Sequence, residues 1–229
     1  MFGGIEANAK TLPDVRKLYK LLTKGVATMS HLTESILSAV RALPEGGMVS
    51  PKQFLHLASR AAVDQALARL AREGRLLRIG RGSYSVSLDG RFGPRPPSTE
   101  AIIAAVEAGS GEIVVASGAA EANALGLTTQ MPIREVFLTS GPSRVLHLGN
   151  RAVELKHGSR WKLVLGKRPA GMAIRALAWL GPDRASSVIR TLQMQLPDEE
   201  WEAIQAVRGA LPSWMARIVS ENNRGSTRA

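Results

Sequence analysis

The sequence predicts an α+β protein, with an N-terminal winged helix-turn-helix followed by a mixed α/β C-terminal domain that ends in helices. Three observations carry that reading. Residues 48–86 run as a helix, a short turn, a longer helix and then a tight hairpin. Residues 89–97 hold three prolines and two glycines, which breaks any regular pattern. From Ala170 onward the apolar residues recur at helical spacing almost to the end.

Residues 1–28 are read in two ways. Leu12, Val15, Leu18, Leu21 and Leu22 line a short helix opened by Pro13, or the stretch is an extension with no native role. Met29-Ser30 stands just before the first well-formed helix, Leu32 to Leu43, whose stripe is Leu32, Ile36, Val40 and Leu43. Pro44-Glu45-Gly46-Gly47 is the loop out of it. Ser50 then caps a helix with Pro51 at its first position and Gln53 placed to reach back. That helix carries Phe54, Leu55 and Leu57 and stops near Ala58. Ser59 caps the next, roughly Arg60 to Glu73, which repeats Val63, Leu67 and Leu70 and ends at Gly74. Leu77 and Ile79 alternate with Leu76 and Arg78, Gly80-Arg81-Gly82 turns the chain, and Tyr84 and Val86 alternate with Ser83 and Ser85.

In a winged helix-turn-helix the second helix enters the DNA major groove and the hairpin lies along the backbone or minor groove. The charge agrees with that use. From Met48 to Gly82 the basic residues are Lys52, Arg60, Arg69, Arg72, Arg75, Arg78 and Arg81, opposed by Asp64 and Glu73 alone. Arginine suits bidentate contact with phosphate or guanine. The expected DNA-binding residues are therefore Arg60, Gln65, Arg69 and Arg72 on the helix, with Arg78 and Arg81 on the wing. An ordinary helical pair with a solvated charged face is the plainer alternative.

The whole chain sets the bounds. Its 229 residues have room for two modest domains, and a net charge of +11 favours nucleic acid or another anionic partner. The excess is spread along the chain rather than held in a tail. There is no cysteine, which excludes disulfides, zinc–thiolate sites and thiol nucleophiles. No apolar run approaches the roughly 20 residues that span a bilayer, and the N-terminus lacks a signal-peptide core. A cytoplasmic location is expected. No heptad seam sets an oligomeric state.

The domains read as 29–88 for DNA binding, 89–97 as linker, 98–221 as the C-terminal domain and 222–229 as a polar tail. In the second half Ser98 or Thr99 caps a helix through Val106, and Glu112 to Ala116 is a short β-branched run. Ser117-Gly118 leads into a helix through Leu125 that Gly126 closes. Strands follow at Ile133–Thr139, Arg144–Leu148 and Arg151–His157, the last two joined by Gly149-Asn150. Helices are read over Met172–Leu180, Arg184–Leu196, Asp198–Leu211 and Ser213 to about Glu221.

Several residues here invite a chemical role. Glu154-Leu155-Lys156 puts an acid and a lysine on one strand face, half of a metal-dependent nuclease pattern that also needs a further carboxylate, for which Glu135 is the candidate. An edge-strand charge pair is the plainer account. His31, His56, His147 and His157 show no ligand spacing, and His147 should pair near Ala152, so no metal or cofactor is expected. Ser117-Gly118 is read as an ordinary cap rather than an anion site. Trp179, Trp201 and Trp214 are read as packing, and Glu199, Glu200 and Glu202 as favouring the dipole of their own helix.

Taken together, SRAAVDQALARLAREGRLLRIGRGSYSV, SGAAEANALGLTTQMP and VFLTSGPSRVLHLGNRAVELKH resemble the AbiEi-like antitoxins of type IV toxin–antitoxin systems, from about Leu32 to Leu180. The resemblance implies a non-enzymatic, two-domain protein. Its N-terminal domain would repress its own operon on double-stranded operator DNA. Its C-terminal domain would oppose the effect of a nucleotidyltransferase toxin without needing to clamp it. A winged-helix regulator without antitoxin activity, a partner-binding scaffold, and a nuclease using Glu154 and Lys156 are the competing expectations.

Overall fold

The computed structural model describes residues 30–91 and 93–222. The helix or extension read over 1–28, and the tail from residue 223 onward, lie outside the described residues. The fold is α+β. Helix α1 (30–41) buries Leu32, Ile36, Leu37 and Val40, while Leu43 lies past its end and stays exposed. Strand β1 (Met48–Val49), helix α2 (Arg60–Arg72) and the hairpin β2 (Leu76–Gly80) and β3 (Ser83–Val86) complete the first half, with sheet order β1-β3-β2, all antiparallel. Val49, Leu76, Tyr84 and Val86 close onto α1 and α2 through Ile36, Leu37, Val63, Leu67 and Leu70. Each such aliphatic side chain contributes about 1.5–3 kcal/mol on full burial.

Where a helix to Ala58 is read from the sequence, only a 3-10 turn forms, over Pro51–Phe54. Gln53 does reach back, its Oε1 accepting from the Ser50 N–H at 3.0 Å. Phe54 is buried, yet Leu55 and Leu57 remain 46% and 45% exposed. The cause is local. The bonds run i to i+3, Leu57 N–H to the Phe54 carbonyl among them, and Ser59 must then be extended (φ −59°, ψ 153°) to cap α2. No room is left for an α turn that would bring Leu55 or Leu57 inward.

The proline-rich stretch also differs from expectation. Strands β4 (Leu88–Gly90) and β5 (Gly93–Arg95) pair antiparallel, with Asp89 opposite Pro94. A two-stranded ribbon has two outer edges, so a proline is tolerated where its missing N–H would face outward. Gly93, at φ +109°, permits the turn between them.

In the second half, α3 (Thr99–Ser110), β6 (Val114–Ala116), α4 (Gly118–Ala124), β7 (Glu135–Thr139), β8 (Arg144–Leu148) and β9 (Arg151–His157) build a four-stranded sheet of order β6-β7-β9-β8. Strands β7 and β9 are parallel and the other pairs antiparallel. Strands β8 and β9 span the residues that the period-two pattern predicts, and His147 pairs with Ala152. Helices α5 (Arg160–Leu163), α6 (Pro169–Gln195), α7 (Asp198–Ala206) and α8 (Ser213–Glu221) follow. Gly181 breaks α6 with φ 79° and ψ 170° just before Pro182, so α6 is two helical pieces. The helix read over Asp198–Leu211 ends earlier and passes into a 3-10 turn at Arg208–Ala210. Ile174, Leu177, Ile189, Leu192, Trp201, Ile204 and Met215 form the helical core. No helix among the described residues is long and apolar enough to cross a membrane.

The two halves share a core. Met48, Leu77 and Ile79, on the face of the first sheet turned away from α2, pack with Ile102, Ile103 and Val106 of α3 and with Leu146 and Leu148 of β8. The backbone closes in as well. A Cβ on Gly46 (φ +80°) would stand 2.5 Å from the Ala101 backbone, and Glu45 Oε1 accepts from the Ser98 N–H at 3.0 Å.

Candidate nucleic-acid interface

Helix α2 presents one exposed stripe. Val63, Ala66, Leu67 and Leu70 face the core, which leaves Ala61, Gln65, Ala68 and Arg72 at the i, i+4, i+7 and i+11 spacing of the opposite face. The stripe alternates methyl groups with one amide and one guanidinium. Such a surface is low in profile and still carries hydrogen-bond donors. Arg72 has no acidic partner among the described residues.

The other two arginines of α2 are engaged along the helix. Arg60 Nε lies 2.9 Å from Asp64 Oδ2, and Arg69 Nε lies 2.8 Å from Glu73 Oε1. Both pairs are solvent-exposed and worth only a few tenths of a kcal/mol, about 0.3–0.5. They orient the guanidinium groups without holding them against a stronger anion. Arg75 is tied to Glu34 of α1 at 3.5 Å.

The hairpin carries the remaining expected residues. Arg78 pairs with Tyr84 across the ladder, so it sits on the sheet face that bears α2, and it is exposed. Arg81 is exposed at the Arg81-Gly82 tip, where Gly82 takes φ +69°. The tip does not stand clear of the protein. Arg81 lines a cleft of about 420 Å³ between the hairpin, α3 and β8, with Gln53 and Arg144 among its other walls. Of the six expected residues, then, Gln65 and Arg72 share one stripe, and Arg60 and Arg69 flank it. Arg78 lies on the same side of the sheet, and Arg81 lies at the junction of the two halves. The helical spacing of Ala61 and Ala68 with Gln65 and Arg72 is visible in the sequence, but the two alanines draw no notice until the buried face is known. Lys52, exposed within the 3-10 turn and without an acidic partner among the described residues, adds to the same half.

The residues that invite catalytic readings resolve differently. Glu135 pairs with Val153, and Glu154 pairs with Val136, so the two carboxylates point to opposite faces of the sheet. Glu135 binds Thr99 and Arg151, while Glu154 meets Arg134 at 3.4 Å and Lys156 at 3.3 Å. A metal shared between Glu135 and Glu154 is excluded by that geometry. His157 Nδ1 lies 2.9 Å from the Gly141 carbonyl.

Ser117-Gly118 serves close packing. A Cβ on Gly118 would stand 2.3 Å from the Arg175 carbonyl oxygen and 2.8 Å from Trp179 Cβ, so the glycine is what lets α4 lie on α6. The same contact holds the most buried ion pair among the described residues. Arg175 donates from Nε to both oxygens of Glu121 (2.9 and 2.7 Å), from Nη2 to Oε1 (2.7 Å) and from Nη1 to the Lys162 carbonyl (3.0 Å). Burial pushes the Glu121 carboxyl up to about 7, against the pull of Arg175. Glu200, read as serving its own helix, instead accepts from the Ala170 N–H at the start of α6 (2.9 Å) and from Arg168 (3.1 and 3.0 Å). These bonds, the backbone one first, hold its carboxyl below the usual range. Trp201 is buried and Trp214 half-buried as packing predicts, whereas Trp179 is 38% exposed with Arg184 over its ring at 6.0 Å.

A family model described as "Family of unknown function (DUF6088)" matches residues 35–204. No curated protein matches the chain. Among solved structures, the RV2827C protein from Mycobacterium tuberculosis is similar at 14% identity and a TM-score of 0.48, over 83% of this chain and 75% of that one.

Proposed function

The chain belongs to the DUF6088 family, whose function is unknown, and from that premise we propose that it is a sequence-selective DNA-binding regulator. Its first half works as a winged helix-turn-helix, with α2 in the major groove and the β2–β3 hairpin as the wing. The observation that carries this reading is the exposed stripe of Ala61, Gln65, Ala68 and Arg72, flanked by arginines on the same side of the fold. Gln65 suits the donor and acceptor pair of adenine, and Arg72 the two acceptors of guanine. Arg60, Arg69 and Arg78 serve the flanking phosphates. Arg81 reaches the backbone from the junction.

The second half extends the proposal. The likeness of SGAAEANALGLTTQMP and LTSGPSR to the AbiEi-like antitoxins supports autorepression of a toxin–antitoxin operon, with the second half opposing a nucleotidyltransferase toxin. That part rests on resemblance.

The decisive test is a salt-titrated binding assay on the upstream DNA of the gene against a scrambled duplex. Selective binding that weakens with salt is expected. Arg72→Ala should cost about 1–3 kcal/mol and relax the preference at one position, whereas Arg78→Ala should weaken both duplexes alike and lower the salt slope by about 1. Equal affinity of parent and variants for both duplexes would remove the regulator reading. Rescue of growth when the chain is co-expressed with a neighbouring nucleotidyltransferase then tests the antitoxin part separately.

A further inference from the structure

Between α3, β6, α4 and the start of α6 lies a cavity of about 440 Å³, walled by Ile103, Ala116, Ala120, Phe137 and Met172. Its size and mostly apolar walls are those of a small-molecule site. Three charged groups reach it, and two of them are already satisfied. Glu121 is bound by Arg175 through three hydrogen bonds, and Lys167 Nζ is held by Glu107 Oε2. Glu107 is fixed in turn, because its other oxygen accepts from the Val114 N–H at 3.0 Å. The third group, Glu100, is exposed on the first turn of α3 and has no cationic partner among the described residues. It lines this cavity and also the neighbouring cleft, which shares Ala116, Ala120 and Phe137 with it.

We propose that this cavity binds a small organic amine, its apolar body against Phe137 and Met172 and its ammonium group at the Glu100 carboxylate. The charge selects the class. An organic anion would meet an unpaired carboxylate and could reach Lys167 only by displacing Glu107. Arg134 and Arg151 of the neighbouring cleft are likewise paired, with Glu154 and Glu135. A purely apolar ligand would leave Glu100 unused. An amine satisfies the single open charge and fills the apolar volume in the same pose. The site is independent of the α2 face, so its test does not depend on whether the protein binds DNA.

The experiment is ligand-detected NMR and calorimetric titration of the full chain with 2-phenylethylamine, and with 3-phenylpropanoate as the anionic counterpart of similar shape. Saturable binding of the amine, severalfold tighter than the acid, is expected. Ala120→Leu, which fills the cavity, should abolish it, with unchanged circular dichroism showing that the fold persists. Glu100→Gln, at an exposed position, should remove the preference for the amine while leaving the fold intact. Absence of saturable amine binding to the parent chain, equal binding of amine and acid, or amine binding untouched by both variants would each overturn the proposal.

Discussion

Replacing Glu121 with leucine removes the carboxylate from the α4–α6 contact and leaves Arg175 with the Lys162 carbonyl as its remaining hydrogen-bond partner. The two side chains are 1% and 4% exposed, so water cannot take over. Breaking one side of such a pair typically costs about 3–5 kcal/mol, because the cost is that of an uncompensated buried charge. In a chain of this size each kcal/mol moves Tm by about 2–4 °C, so a fall on the order of 10 °C is expected. Arg175→Met should also destabilise, but by less, because the stranded Glu121 carboxyl, already pushed up to about 7 by burial, escapes the charge by taking a proton. The double variant Glu121→Leu/Arg175→Met should lie within about 1 kcal/mol of the parent or be more stable, since apolar replacements of similar volume remove both desolvation costs. Urea unfolding followed by tryptophan fluorescence, to which the buried Trp201 beside α6 contributes, reads all four corners of the cycle. A loss under about 1 kcal/mol for Glu121→Leu, or additive single effects, would refute the claim that this pair is a desolvated unit.

Three further outcomes are expected. Gly118→Ala should destabilise by about 1–3 kcal/mol, because the new methyl group meets backbone rather than a movable side chain, and a thermal melt of that variant checks it. Ile79→Ala should cost about 2–5 kcal/mol and speed amide exchange in both the β2–β3 hairpin and α3, since one side chain packs in the core that joins them; exchange confined to the hairpin would argue against a shared core. Glu112 and Glu200 both titrate below the ordinary 4.5. For Glu112, burial pushes upward and is overcome by the hydrogen bonds from Thr139 and Arg144. A folded value below the unfolded one means that their contribution is present above about pH 4.5 and lost as pH falls through the folded value. Melting followed from about pH 4.5 to pH 3, below the range in which the raised Glu121 carboxyl adds stability as pH falls, should show that loss, and Glu200→Gln should flatten part of it.

Much of this protein is written locally. The caps at Ser59 and Ser98, the glycines that end α2 and α4, and the alternation of β8 and β9 depend on neighbours a few residues away, so they are legible along the chain. The same holds for the charged face of α2, whose spacing alone separates Arg72 and Gln65 from the buried stripe. Local pattern misleads where two preferences compete over one or two turns. Leu55 and Leu57 look like core residues until the Ser59 cap forces the chain out of the helix. The proline-rich stretch looks unpaired until a two-stranded ribbon gives Pro94 an open edge.

What the chain by itself could not decide is which surfaces meet. The burial of Leu77 and Ile79 is readable, but that they turn their backs on α2 to pack against α3 and β8 depends on contacts made far along the sequence. Glu121 finds Arg175 and Glu200 finds Ala170 only once α6 is in place, 54 and 30 residues away. Gly118 reads as a cap and proves to be a point of close approach, because the neighbour that excludes its Cβ lies on another helix. Sequence determined most of the elements and their polar faces, since those follow from backbone geometry and period; tertiary packing alone decided the ion pairs, the shared core and the cavity, since each requires two distant segments to exclude water together.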